Sequence, residues 1–187
     1  LRMLEPAGIP IVEIMDTHRP PLQQAVGYDN VRAAYDMVSE MMRRGRRQVI
    51  YLAVRLDERT RQRELGYRQA MEEHGLPPVT LQSSQRSSYT VGAALMQEIQ
   101  RNYPETDAIF CTNDDVAVGA YFECLRQGIG VPEHIAIAGF HGHAVGQHAG
   151  LAQRSQHFRS QVARAHRASR RDDHHVCLLH SLETGIA

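Results

Sequence analysis

The chain has 187 residues, 42% of them apolar, which suits one globular domain with a sizeable core and leaves no apolar run able to span a bilayer. Its 21 basic and 21 acidic side chains cancel to a formal charge of zero, so the chain as a whole carries no electrostatic bias toward nucleic acid or an anionic membrane. The three cysteines, Cys111, Cys124 and Cys177, form no C-x-x-C pair, which points to buried free thiols in a reduced, cytoplasmic setting.

The first residues read as the middle of a fold. Position 1 is not Met, and Pro6, Gly8 and Pro10 make a turn into a β-branched run from Ile9 to Asp16, predicted as a buried strand. From Asn30, apolar Val31, Ala34, Tyr35, Val38, Met41 and Met42 recur at helical spacing up to Gly45. Gln48 to Ala53 is a predicted strand. Thr60 is expected to cap a helix from Arg61 to His74, with Gly75 as its stop signal and Pro77 and Pro78 beyond. Val79 to Ser83 is a weaker strand, and Ser88 to Thr90 open a helix through Leu95, Met96 and Ile99 to Tyr103. Ala108 to Cys111 is a short buried strand. Asn113 then caps a helix closed by Gly128, with Asp114 and Asp115 in the first turn, where carboxylates suit the positive end of the helix dipole. Ile135 to Gly139 is the last strand. Strands and helices alternating in this way predict an α/β fold: a Rossmann-like, mainly parallel sheet with right-handed crossovers. One complete layer would run from about Tyr28 to Val145.

Open parallel sheets bind ligands at the carboxyl ends of their strands, and two polar side chains fall there. Asn113 follows one strand and His141 follows the next. Capping alone would explain Asn113; the equivalent placement of His141 favours a binding role. The loop from Val54 to Arg63 has neither a Gly-rich phosphate cradle nor a Walker lysine, so no nucleotide cofactor is expected. Arg59 and Arg63 share a helical face, and a guanidinium grips a carboxylate through a two-bonded fork. Arg61 is read as solvated, and Asp29 and Asn30 as turn and cap residues. His141 and His143 make H-x-H without further ligands, too little for a metal site. No nucleophile elbow, H-E-x-x-H or paired acid set points to catalysis.

The ordered set Thr112-Asn113-Asp114-Asp115-Val116-Ala117-Val118-Gly119-Ala120, Val131-Pro132 and Gly139-Phe140-His141-Gly142 resembles the effector-binding core of the lac-repressor/galactose-repressor family of bacterial transcription regulators. The wording Gly-Phe-His-Gly, in place of the commoner Gly-Tyr-Asp, is most similar to the gluconate-operon repressors. The resemblance runs from Leu1 to about Gln147. It implies one lobe of a periplasmic-binding-protein-like two-lobed core, with residues 1–27 a remnant of the N-terminal lobe and crossover and 28–147 the C-terminal, effector-binding lobe. It also implies a homodimer, and operator DNA bound only through a helix-turn-helix headpiece that precedes this region in the family. Arg63, in the family's Arg-x-x-Gly-Tyr motif, is implied to hold the effector's oxygen groups. Asp16 is implied to face the cleft from the opposite lobe. Tyr28, at the crossover, either stacks on a sugar ring or packs the hinge. Phe140 belongs to the same implied site. An imidazole at His141 donates to an anion where an aspartate would repel it, so the pairing with Arg63 favours a sugar acid such as gluconate over a neutral sugar. A solute-binding protein of a sugar transporter is the alternative that shares this architecture.

Residues 148–187 depart from the family pattern. All twenty-one basic residues are arginine, a sign of GC-rich coding sequence, and the Arg/Ala/His-rich text after Ala149 reads as a frameshifted, poorly ordered tail. Its arginines lack the interleaved aromatics of a nucleic-acid surface, and Asp172, Asp173, His174, His175, Cys177 and His180 match no standard zinc spacing. A nucleotide sequence that restores the family pattern on one insertion or deletion would establish the shift.

Overall fold

A computed structural model describes residues 8–14, 23–27 and 29–140. Two short parallel strands, β1 (Val12–Ile14) and β2 (Gln24–Val26), pair with each other. The strand expected from Ile9 to Asp16 is thus confined, among the described residues, to its middle. Ile9 is exposed, and Pro10 after it has no N–H to give to a ladder. No strand is expected from the sequence where β2 forms.

The main body alternates α1 (Asn30–Arg43), β3 (Val49–Val54), α2 (Glu58–Glu73), β4 (Val79–Ser83), α3 (Tyr89–Asn102), β5 (Ala108–Cys111), α4 (Asp114–Arg126) and β6 (Ala136–Ala138). The four strands β3 to β6 form a wholly parallel sheet in the order β4-β3-β5-β6. Strand residues alternate between two cores, as the pleat requires. Val49, Tyr51, Ala53, Ala108 and Phe110 meet α1 and α2 on one face, and Ile50, Leu52, Val54, Ile109 and Cys111 meet α3 and α4 on the other. Because both faces are covered, β3 and β5 read as unbroken apolar runs without polar alternation.

The helix pairs approach closely through glycines. A Cβ on Gly119 of α4 would collide with the Tyr89 carbonyl oxygen of α3, and one on Gly92 of α3 would collide with the Val116 carbonyl oxygen of α4. Gly66 does the same for α2 against the Val31 carbonyl of α1.

This topology fixes where a ligand can bind. From β3 the chain crosses through α2 to β4 on one side; from β5 it crosses through α4 to β6 on the other. The carboxyl ends of β3 and β5 therefore flank the switch point, where neighbouring loops diverge and leave a crevice.

Candidate functional site

A cavity of about 570 Å³ opens at this switch point. Three strand ends build it: Val54 of β3 with Arg55 and Asp57 of the loop after it, the loop after β4 (Arg86, Ser87) and the loop after β5 (Thr112, Asn113). The first two turns of α2 and the first turn of α4 complete it with Arg59, Thr60, Arg63, Asp114 and Asp115. Since the helices follow parallel strands, α2, α3 and α4 all begin at this edge and turn their dipole-positive ends toward it.

The turn into α2 differs from expectation. Asp57, not Thr60, is the cap: its Oδ1 accepts from the Thr60 backbone N–H at 3.0 Å, and the helix starts at Glu58. The carboxylate outcompetes the hydroxyl as an acceptor and stands three residues earlier, at the N-cap. Thr60 turns inward instead. Its Oγ1 lies 3.0 Å from Asp57 Oδ1 and 3.1 Å from Thr112 Oγ1, which ties the start of α2 to the end of β5. Burial pulls the Asp57 carboxyl upward, but the Thr60 N–H, the Arg59 guanidinium 3.1 Å away and the Thr60 hydroxyl outweigh it. The net pKa is below the usual 3.8, so Asp57 is an anion at neutral pH.

Arg59 and Arg63 share a face as their spacing requires, yet their environments differ. Arg59 sits at the rim, half-exposed and paired with Asp57. Arg63, one turn deeper, is only 3% exposed. Its Nε donates to Asn30 Oδ1 at 2.9 Å, and its Nη1 donates to the Thr112 carbonyl. Its guanidinium carbon stands 3.5 Å from the centroid of the Phe140 ring, within cation–π range. A buried charge needs such partners to offset its lost hydration.

Asn113 is both cap and lining residue. Its Oδ1 accepts from the Val116 N–H at 3.2 Å and from the Ser87 hydroxyl at 2.8 Å. With the oxygen committed, the amide NH₂ is the group left to offer to the cavity. Phe140 does not line the cavity among the described residues; it lies buried beneath Arg63 and 6.5 Å from Phe110. Asn30 is likewise no simple cap. Asp29 caps α1 by accepting from Val31 and Arg32, while Asn30, fully buried, receives Arg63. Asp16, Tyr28 and His141 lie outside the described residues, as does His143.

Of the residues singled out from the sequence, the fold brings Arg59, Arg63 and Asn113 to one cavity; Arg55, Thr112, Arg86 and Ser87 line it too and were not singled out. The signal available for Arg86 and Ser87 was positional: they close the loop after a parallel strand. Among the described residues no three His, Cys, Asp or Glu side chains group to hold a metal ion, and no helix is long and apolar enough to cross a membrane.

Residues 38–171 match the family model described as a periplasmic binding protein-like domain, a span that runs beyond Gln147. The chain is 52% identical over 147 residues to the HTH-type transcriptional regulator GntR of Escherichia coli K12, covering 79% of this chain and 44% of that protein. It is 42% identical over 148 residues to the HTH-type transcriptional regulator IdnR of the same organism, again covering 79% of this chain and 45% of the relative. The chain therefore spans less than half the length of these relatives. A LacI family transcriptional regulator from Silicibacter pomeroyi superposes with a TM-score of 0.74 at 35% identity, over 81% of this chain and 57% of that one. A transcription regulator GntR from Chromobacterium violaceum also gives 0.74, at 32% identity, over 78% of this chain and 54% of that one.

Proposed function

The chain belongs to the periplasmic binding protein-like domain family, and from that membership we propose that it is the effector-sensing core of a bacterial transcription regulator of the LacI family, one that binds a sugar acid. The observation that carries this reading is the cavity at the switch point of the sheet. Its volume falls in the range of small-molecule sites. Arg55, Arg59, Arg63 and Arg86 line it against the carboxylates of Asp57, Asp114 and Asp115, so it suits an anion that also carries hydroxyls. Thr112, Asn113 and Ser87 supply hydrogen bonds of both senses for a polyol chain. His141, placed by sequence just past β6, would add a donor. Gluconate fits this chemistry.

Relatives named as regulators favour this reading over a transporter's solute-binding protein. Operator DNA would be read through a headpiece outside the described residues, within a cytoplasmic homodimer. Effector binding moves such a dimer between two arrangements only by as much as it favours one of them.

Calorimetric titration of the chain with gluconate, galactose and ribose tests the proposal. Gluconate is expected to bind most tightly. Equal or tighter binding of either neutral sugar would remove the acid-sensing reading.

A further inference from the structure

We propose that Arg55 and Arg86 form a clamp for the terminal oxyanion of the ligand, a carboxylate or a phosphate monoester, at the rim of the cavity. This rests on the reading that the cavity takes an acidic sugar.

The four cavity arginines are not equivalent. Arg63 spends Nε on Asn30 and Nη1 on Thr112, and Arg59 is paired with Asp57. The side chains of Arg55 and Arg86 make no hydrogen bond or ion pair with the described residues, although both line the cavity. Their full donor sets are available to a ligand.

The backbone holds Arg55 in place at a cost. Arg55 and Leu56 are consecutive non-glycine residues in the left-handed region, with φ of 73° and 50°. Glycine would take that conformation without strain, and strained backbone of this kind clusters at ligand sites. Leu56 packs against the first core, which anchors the strained pair. The Arg55 N–H donates to the Ser83 carbonyl at 3.0 Å, so its loop is stitched to the end of β4, three residues before Arg86. Two guanidinium groups from two joined loops suit one planar or tetrahedral oxyanion, since each offers a rigid fork of donors. The nearby carboxylate of Asp57 is occupied by the cap and by Arg59, and so does not compete.

The experiment titrates the 187-residue chain and its Arg55→Gln and Arg86→Gln variants with gluconate, with 6-phosphogluconate and with glucitol, the neutral polyol of equal length. Both positions are exposed, and circular dichroism checks that each variant folds. The clamp predicts that each substitution weakens an acidic probe at least tenfold and leaves glucitol unchanged. A loss for gluconate assigns a carboxylate end; a loss confined to 6-phosphogluconate assigns a phosphate end. Native-like affinity of both variants for both acids would overturn the clamp and leave the acid-sensing reading standing. If the native chain binds none of the three probes, that reading fails and the clamp fails with it.

Discussion

Arg63 of α2 lies with its guanidinium carbon 3.5 Å from the ring centroid of Phe140, which follows β6, so the charge at the floor of the cavity is held by a residue that never reaches the cavity itself. The contact joins the chain after β3 to the chain after β6, and Asn30 closes the arrangement from α1. One cation thereby couples three separate elements to the geometry of the site.

Replacing Arg63 with Met keeps the stem but leaves Asn30 Oδ1 and the Thr112 carbonyl without this donor in a dry environment. A loss of about 2–3 kcal/mol is expected, read from urea denaturation. Combining it with Asn30→Leu is expected to cost less than the sum of the two, because the second change removes the acceptor stranded by the first. Strict additivity would show that the pair is not coupled.

Asn113 separates capping from binding. Asn113→Asp keeps an oxygen for the Val116 N–H, so stability is expected to change by less than about 0.5 kcal/mol. It also removes the amide donor and adds a negative charge, so gluconate affinity is expected to fall at least tenfold in calorimetry. Unchanged affinity would reduce Asn113 to a helix cap.

Gly119→Ala tests the close approach of α3 and α4. The new Cβ meets backbone, the Tyr89 carbonyl, which cannot rotate aside, so the helices must separate. A destabilisation of about 1–3 kcal/mol is expected, seen as a lower melting temperature. The same substitution at Gly128, where nothing stands within 4 Å but φ is +71°, should act through backbone strain alone.

Acid sensitivity has an identifiable source in α4. Arg126 grips the Glu123 carboxylate with bonds of 2.6 and 2.9 Å, and Gln127 adds a third, which together hold its pKa at about 2 against the usual 4.5. A carboxyl depressed in the folded state stabilises the fold above its unfolded pKa, and that contribution is lost as pH falls from about 4.5 toward 2. Glu123→Gln is expected to flatten the pH dependence of the urea midpoint in that window. An unaltered slope would place the acid sensitivity elsewhere.

The thiols of Cys111 and Cys124 are both buried, and burial pushes their pKa values up, that of Cys124 to about 11. Thiolate is the reactive form. Labelling of these two by a thiol reagent at neutral pH is expected to be slow in the folded protein and fast in urea, as peptide mapping of the modified sites would show.

The sequence alone was enough for most of the main body's local architecture, though not for β2. Apolar spacing located α1 and α3, cap and stop signals located α4, and unbroken apolar runs located β3 and β5, because these features depend on residues a turn or two apart. The ordered motifs also carried the family resemblance. Local reasoning failed by a few residues at α2, where two acceptors, Asp57 and Thr60, competed for one cap.

Tertiary structure decided what the arginines do. Spacing put Arg59 and Arg63 on one face but could not say which of them would be buried. That follows from contacts 33 and 49 residues away, to Asn30 and Thr112. It also follows from the order β4-β3-β5-β6, which sets β5 beside β3 and brings the loop after β4 to the same edge. The loops that carry Arg55 and Arg86 meet at one cavity by that route, since a strand order is settled by packing across the sheet and leaves no mark at short range.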